Sequence, residues 1–209
     1  MVISYLGGQC FKVSQGDLTL AFNPPSKDSS LKASKFGSDI VLVSQNHDDF
    51  NGVENASFGD REPFVISGPG EYEVKGVAVR GFASESQYGG GKSINTIYSV
   101  ALDGLNLCFL GALGSSTLPS AAAQELDDID ILFLPIGDEG VLDYEKAYAV
   151  AVQLEPKAIV PMHYGEIGSK DALKSFLKEA GEDVKPIEKL TVKKKDLDAK
   201  EGEIIVLAS

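Results

Sequence analysis

Hydrophobic residues in the first half of the chain alternate with polar ones or run in short stretches of strand length. Strands are predicted at 2–6, 9–14 and 17–22, and the glycine-containing segments between them are typical of hairpin turns. The continuous apolar run at 39–44 predicts a strand that is buried on both faces. Between glycine-rich turns, further strands are predicted at 63–67, 72–74, 76–82, 96–102 and 105–110.

The second half of the chain changes to helical periodicity interrupted by buried strands. Helices are predicted at 120–126, 144–154 and 171–180, the last ending at Gly181 as helices commonly do. Buried strands are predicted at 129–134 and 158–162, and two closing strands at 190–192 and 203–207. The pattern indicates an α/β fold with a single domain over residues 1–209, an αββα sandwich of two mixed or antiparallel sheets with outer helices.

Composition and charge exclude some classes of partner. The chain has 209 residues, with 31 acidic and 19 basic side chains and a formal net charge of -12. A polyanion would be repelled, so neither nucleic acid nor an anionic membrane is expected as a partner. No cationic leader precedes the first strand and no apolar stretch approaches the roughly 20 residues of a membrane span, so a cytoplasmic location is expected.

The candidate chemistry centres on the chain's two histidines, each of which directly follows a strand-like apolar run. His47 lies two residues before Asp49, and His163 lies in the segment Pro-Met-His-Tyr-Gly at 161–165. Active sites collect at strand ends in layered α/β folds. We therefore expect His47, Asp49 and His163 to converge although they are distant in sequence.

Residues 44–52, Ser-Gln-Asn-His-Asp-Asp-Phe-Asn-Gly, resemble the metal-binding loop of the metallo-β-lactamase superfamily, His-x-His-x-Asp-His after a buried strand. His47 and Asp49 fix the register of this resemblance. Segments 20–24, 110–114 and 160–164 are similar to further motifs of the superfamily, and 68–72 and 95–98 resemble its ascorbate-6-phosphate lactonase-like branch. The resemblance implies the metallo-β-lactamase fold along nearly the whole chain.

The same resemblance implies that most metal ligands have been replaced. Gln45 and Phe50 stand where the loop pattern has histidines, while Ala112 and Asn23 stand where the superfamily has aspartates. The remaining ligand set is His47, Asp49 and His163, which leaves one of the three ligands of the first metal and two of those of the second. Low metal occupancy is expected because a catalytic zinc needs about three protein ligands and an open position. The residual pocket is predicted to comprise the residues of these motifs, namely Gln45, His47, Asp49, Phe50, Glu71, Asn95, Ala112 and His163.

Two functional hypotheses follow from this ligand set. The first is a non-hydrolytic protein that binds a small molecule or a protein and needs no cofactor, with Phe50 and Phe109 filling the emptied cavity. The alternative is a hydrolase of a small ester, lactone or phosphate ester that uses one zinc or another divalent ion. A third possibility is a homo-oligomer in which a second copy of the chain completes the site.

The glycine-rich segment Gly89-Gly90-Gly91-Lys92-Ser93 lacks the spacing of a phosphate-binding loop and is interpreted as a flexible loop.

Overall fold

The computed structural model describes residues 1–59 and 62–209, and within them two mixed sheets lie face to face. The strands of the first half are β1 (Val2–Tyr5), β2 (Phe11–Gln15), β3 (Leu18–Phe22), β4 (Ile40–Leu42), β5 (Phe64–Ile66), β6 (Gly70–Val74), β7 (Val77–Ser86) and β8 (Ser93–Leu102). The remaining elements are β9 (Leu105–Phe109), α1 (Ser120–Glu125), β10 (Ile131–Pro135), α2 (Tyr144–Leu154), β11 (Ala158–Met162), α3 (Ala172–Ala180), β12 (Leu190–Thr191) and β13 (Glu203–Ile204).

The first sheet has the strand order β12-β1-β2-β3-β4-β5, and the second has the order β13-β11-β10-β9-β8-β7-β6. In each sheet the strands joined by short turns pair antiparallel, whereas β3-β4-β5 and β9-β10-β11-β13 pair parallel. This follows from the connections, because a parallel pair requires a crossover that is longer than a hairpin turn. The predicted two-sheet α/β sandwich is confirmed.

Aromatic side chains fill the space between the two sheets. The ring centroid of Phe11 on β2 lies 4.7 Å from that of Phe133 on β10, and Phe22 on β3 lies 4.9 Å from Phe109 on β9. All four rings are fully buried. Tilted and edge-on aromatic pairs of this kind bury a large apolar area, so they hold the sheets together.

The outer faces of the two sheets are covered differently. Buried residues of α1, α2 and α3, among them Ala122, Val150 and Phe176, pack on the outer face of the second sheet. On the first sheet, Ala21 and Val41 instead contact the segments that flank a short 3₁₀ turn at Val53–Asn55. The helical layer of the described residues therefore covers the second sheet, while a long irregular connection covers the first.

The strands differ from the predicted ranges chiefly in the hairpin of β7 and β8. Both strands are ten residues long, reaching Ser86 and beginning at Ser93. Ser84 and Ser86 extend β7 past the apolar run, and both are buried on the same face of the strand as Phe82, which packs in the cluster covered by the helices. The hairpin tip is thereby carried to the sheet edge where β4 and β11 end.

No helix within residues 1–59 and 62–209 is long and apolar enough to cross a membrane.

Candidate functional site

Two strand ends, one from each sheet, form the candidate site. The segment after β4 is fixed to the second sheet by the backbone N–H of Thr96, which donates to the Ser44 carbonyl at 2.7 Å. After β11, the His163 N–H donates to the Gly8 carbonyl at 2.7 Å, and its φ is +61°. A β-carbon at Gly137 would lie 1.9 Å from the His163 carbonyl oxygen, so glycine at 137 makes this left-handed turn sterically feasible.

The structure brings His47, Asp49 and His163 together at this edge. His47 Nδ1 lies 3.5 Å from Asp49 Oδ2. The centroid of the Tyr88 ring is 4.8 Å from that of His47 and 4.8 Å from that of His163, so the two histidine rings are separated by at most twice that distance. However, the group at the centre is not a metal-binding side chain. It is the phenol ring of Tyr88.

Tyr88 occupies this position because of the glycine-rich tip between β7 and β8. A β-carbon at Gly89, whose φ is +86°, would lie 2.8 Å from His47 Cδ2, so glycine allows the tip to approach the histidine. Gln45 Nε2 donates to the Tyr88 carbonyl at 3.0 Å and fixes the tip from the other side. Tyr88 is not among the predicted site residues, because the glycine-rich segment beside it is typical of a flexible loop. The signal in the sequence is a large aromatic residue beside three glycines.

Both oxygens of the Asp49 carboxylate accept hydrogen bonds from hydroxyl groups. Ser29 Oγ donates to Oδ1 and the Tyr88 hydroxyl donates to Oδ2, each at 2.5 Å. Burial, together with the hydrogen bond and negative charge of Asp49, raises the pKa of Tyr88 well above its usual range. Tyr88 therefore remains protonated and donates its hydroxyl hydrogen to Asp49. His47 Nδ1 in turn accepts from the Asp49 backbone N–H at 3.2 Å.

A chain of buried amides fixes the orientation of the His163 ring. The Ser44 backbone N–H donates to Asn23 Oδ1 at 2.7 Å, which identifies the other terminal atom of Asn23 as Nδ2. That Nδ2 donates to Gln9 Oε1 at 2.8 Å, and Gln9 Nε2 lies 2.8 Å from His163 Nδ1. Because a backbone N–H can only donate, the whole chain has one direction and His163 Nδ1 is an acceptor.

The neutral His163 ring therefore carries its proton on Nε2. Burial, with a smaller contribution from His47, lowers the pKa of His163 to about 3 against the opposing effect of Asp49, so the ring is neutral near pH 7. Among the described residues, His163 Nε2 has no hydrogen-bond partner, and the same holds for Gln45 Oε1. Both atoms are buried. The site thus contains one unpaired donor and one unpaired acceptor.

Phe50, which stands where the superfamily loop has a histidine, is buried as the sequence predicted. Its side chain is fully buried in a small apolar cluster with Tyr88, Ala112, Val141 and Ile167. The companion prediction for Phe109 is wrong, because Phe109 belongs to the core between the sheets with Phe22 and Phe133. Its position on β9 turns the ring toward the first sheet, away from the Phe50 cluster.

Asn95 and Glu71, the remaining predicted pocket residues, occupy different surroundings. Asn95 is fully buried, and its side chain donates to the Leu110 carbonyl at 2.9 Å and accepts from the Ala112 N–H at 2.7 Å. It holds the backbone on which Ala112 lies. Glu71 is exposed on edge strand β6, where it is paired with Arg80 of β7, and makes none of the described contacts that join the cluster.

The donor set does not fit a bound zinc ion. Zinc requires ligand atoms at about 2.0–2.2 Å from histidine nitrogen and carboxylate oxygen. Here Tyr88 separates the two histidines, hydroxyl groups occupy both Asp49 oxygens, and His163 presents a protonated Nε2. Within residues 1–59 and 62–209, no group of three His, Cys, Asp or Glu side chains is arranged to hold a metal ion.

Comparison with known families identifies the family to which the chain belongs. The β-lactamase superfamily domain matches residues 2–163, so the chain belongs to that family. A UPF0173 metal-dependent hydrolase of Natranaerobius thermophilus is 28% identical over 185 residues, covering 78% of this chain and 83% of the relative. A second relative with that description, from Listeria innocua, is 27% identical over 195 residues, covering 78% of this chain and 85% of its own.

Solved structures agree with this assignment. A Thermotoga maritima protein described as a Zn-dependent hydrolase of the metallo-β-lactamase superfamily aligns with a TM-score of 0.77 at 26% identity, covering 99% of this chain and 97% of that one. The short form of human tRNase Z aligns with a TM-score of 0.63 at 11% identity, covering 92% and 100%, and shares the fold alone. The metallo-β-lactamase fold implied by the sequence motifs is confirmed.

Proposed function

We propose that this chain acts by binding a small molecule or a protein at the remodelled strand edge and does not carry out metal-dependent hydrolysis. The observation that carries the proposal is the position of Tyr88. Its ring lies between His47 and His163, and its hydroxyl is hydrogen-bonded to Asp49. One side chain therefore contacts all three residues of the remaining ligand set.

The hydrogen bonds of the two histidines support the proposal that the chain does not use a metal ion. A histidine ligates a metal through an unprotonated nitrogen, yet the acceptor nitrogens of both histidines are already used, one by Asp49 N–H and the other by Gln9. Gln45 contributes a neutral carboxamide, which is a poorer zinc donor than imidazole. Phe50 adds apolar volume where the family pattern has a further histidine.

The charge of the chain supports a further restriction on partners. With a formal net charge of -12, attraction to nucleic acid or to an anionic membrane surface is disfavoured, so a small molecule or a protein partner in the cytoplasm is proposed. Association with a second copy of the chain belongs to the same proposal as one form of protein partner.

A single-metal hydrolase is the second candidate, and the relatives favour it because they are described as metal-dependent hydrolases. The structure offers one route to it. His47, Asp49 and His163 all contact the Tyr88 side chain, so withdrawal of that side chain would leave three donors around one space. Such a site would hold zinc or another divalent ion and act on a small ester, lactone or phosphate ester.

Zinc binding distinguishes the two candidates. A ligand that binds only the folded state stabilises it by RT ln(1 + [L]/Kd), about 2.7 kcal/mol at a hundredfold excess over Kd, so a competent site raises the melting temperature. After incubation of the purified protein with about 100 μM zinc and dialysis, we expect well under one zinc per chain and no rise in melting temperature. Elemental analysis and thermal unfolding measure both.

The matched control is His47→Asn, which removes one inherited donor without changing the apolar core. If the wild-type protein retains near-stoichiometric zinc that His47→Asn loses, and melts several degrees higher with zinc, the binding proposal fails and the single-metal hydrolase replaces it. Zinc that both proteins retain equally is bound outside this site and does not count against the binding proposal.

A further inference from the structure

Two buried polar atoms at the site lack partners, and they are complementary to each other. His163 Nε2 is a donor because the Gln9 amide occupies Nδ1, and Gln45 Oε1 is an acceptor because Gln45 Nε2 already donates to Tyr88. His163 is fully buried and Gln45 is only 4% exposed. A buried polar atom without a partner destabilises the folded state, so two of them at one site are the expected mark of a missing ligand.

Both residues lie against Tyr88. The ring of His163 meets the Tyr88 ring edge-on at 4.8 Å and 84°, and Gln45 bonds the Tyr88 carbonyl at 3.0 Å. Tyr88 is partly exposed, and Gly89 and Gly90 follow it with φ values of +86° and +87°. Tyr88 thus contacts both residues that carry the unpaired atoms, His163 through its ring and Gln45 through its backbone carbonyl. The glycines that follow it can adopt several backbone conformations.

The charges at the site restrict what can bind there. The negative charges of Asp49 and Glu139 act on Tyr88, so an anionic ligand that took the place of the Tyr88 ring would be repelled. A cation cannot accept a hydrogen bond, so it would leave the His163 N–H without a partner. An uncharged ligand that accepts from His163 and donates to Gln45 satisfies both atoms without either penalty.

We propose that movement of the Tyr88 side chain opens a slot for a neutral ligand of the carboxamide class, whose carbonyl accepts from His163 Nε2 and whose N–H donates to Gln45 Oε1. The inference rests on the proposed binding function and specifies its ligand. A carboxamide or lactam presents an acceptor and a donor on adjacent atoms, and neither group is charged near neutral pH. Asp49 keeps its Ser29 hydrogen bond when Tyr88 leaves, so the carboxylate stays partly satisfied.

The test uses the full chain with Tyr88→Ala, which uncovers the slot, and with ¹⁵N-labelled histidine. Acetamide and sodium acetate are titrated separately while the Nε2–H resonance of His163 is followed, with His47→Asn used to assign the two rings. We expect acetamide to shift this resonance saturably and acetate to leave it unchanged. Gln45→Met in the same background should weaken acetamide binding roughly three- to tenfold, the value of one hydrogen bond.

Gln87→Met is the matched control, since Gln87 is exposed on the same loop, and it should leave acetamide affinity unchanged. The proposal is overturned if acetate shifts the resonance as much as acetamide does, or if Gln45→Met leaves the affinity for acetamide unchanged. It is also overturned if acetamide gives no response, as expected when only water bridges the two atoms. If Tyr88→Ala does not fold, the titrations are repeated in Tyr88→Phe, which keeps the ring but loses the bond to Asp49. A missing acetamide response in that variant is equally decisive against the proposal.

Zinc analysis of the same samples separates this inference from the proposed function. Near-stoichiometric zinc at the site contradicts the binding function itself. Zinc-free protein that does not respond to acetamide contradicts only the ligand class.

Discussion

At the scale of single residues, the site depends on buried amide side chains that orient one another. Gln9 joins Asn23 to His163, and all three are fully buried. In the sequence, Gln9 follows two glycines at the start of the strand predicted at 9–14, and nothing local indicates a role at the candidate site. Its partner lies 154 positions away, so the interaction is created by the fold and is absent from any local pattern.

Replacing Gln9 with Met tests this chain of amides. The substitution keeps the length of the side chain but leaves His163 Nδ1 buried without a donor and removes one acceptor from Asn23. We expect a loss of about 1–3 kcal/mol in the free energy of unfolding, measured by urea denaturation. Gln124→Met on the exposed surface of α1 is the control and should change stability by less than about 0.5 kcal/mol. Equal stability of the two variants would contradict the role given to Gln9.

At the scale of elements, the strand pattern was readable from the sequence where apolar and polar residues alternate, and less so where buried residues are polar. The strand predicted at 76–82 is shorter than β7, in which Ser84 and Ser86 continue the buried row of Phe82, on the face opposite to Val77 and Val79. Ser84 accepts a hydrogen bond from Asn95 on the paired strand, at 2.8 Å, which makes its burial favourable. Hydrophobicity alone cannot identify such positions, and the longer hairpin is what carries Tyr88 to the site.

The contact between β8 and the end of β4 gives a prediction at this scale. The Tyr98 hydroxyl donates to the Val43 carbonyl at 2.8 Å, so a side chain of the second sheet bonds the backbone of the first. Tyr98→Phe should destabilise the folded state by about 1–2 kcal/mol, because a buried carbonyl loses a donor while packing is retained. Tyr144→Phe, whose hydroxyl bonds exposed Glu145, is the control for loss of a hydroxyl. Chemical denaturation of both variants measures the difference, and an equal effect would show that the contact between the sheets contributes nothing.

At the scale of the whole molecule, the sequence motifs predicted the fold and the convergence of His47, Asp49 and His163, but not the Tyr88 ring between the two histidines. The motif residues His47, Asp49 and His163 follow strand ends, and the topology of the sandwich brings those ends together. Tyr88 belongs to none of the segments that resemble superfamily motifs. Its position depends on the length of a hairpin and on the close approach of Gly89 to His47, which are three-dimensional properties.

The opposite end of β10 and β11 holds a second buried polar group, the Asp130 carboxylate. Its side chain is completely buried, and it bonds Lys157 at 2.8 Å, Lys194 at 2.7 Å and the Asn106 N–H at 2.8 Å. Burial alone raises the pKa of Asp130, but the hydrogen bonds from Lys157, Lys194 and Asn106 outweigh it and leave the pKa lowered. These bonds join β10 to β11 and to the segment after β12.

This lowered pKa predicts how the stability of the whole molecule depends on pH. A carboxyl group whose pKa is lower in the folded state stabilises that state above its unfolded pKa, near 3.8, and the contribution disappears as pH falls through the folded value. Asp130→Asn should therefore reduce the free energy of unfolding by about 1–3 kcal/mol near neutral pH, with the difference from wild type shrinking below about pH 4. Urea denaturation across this range measures it, with exposed Asp127→Asn as the control. A difference from wild type that stays constant down to the acid limit would mean that the Asp130 charge is not responsible.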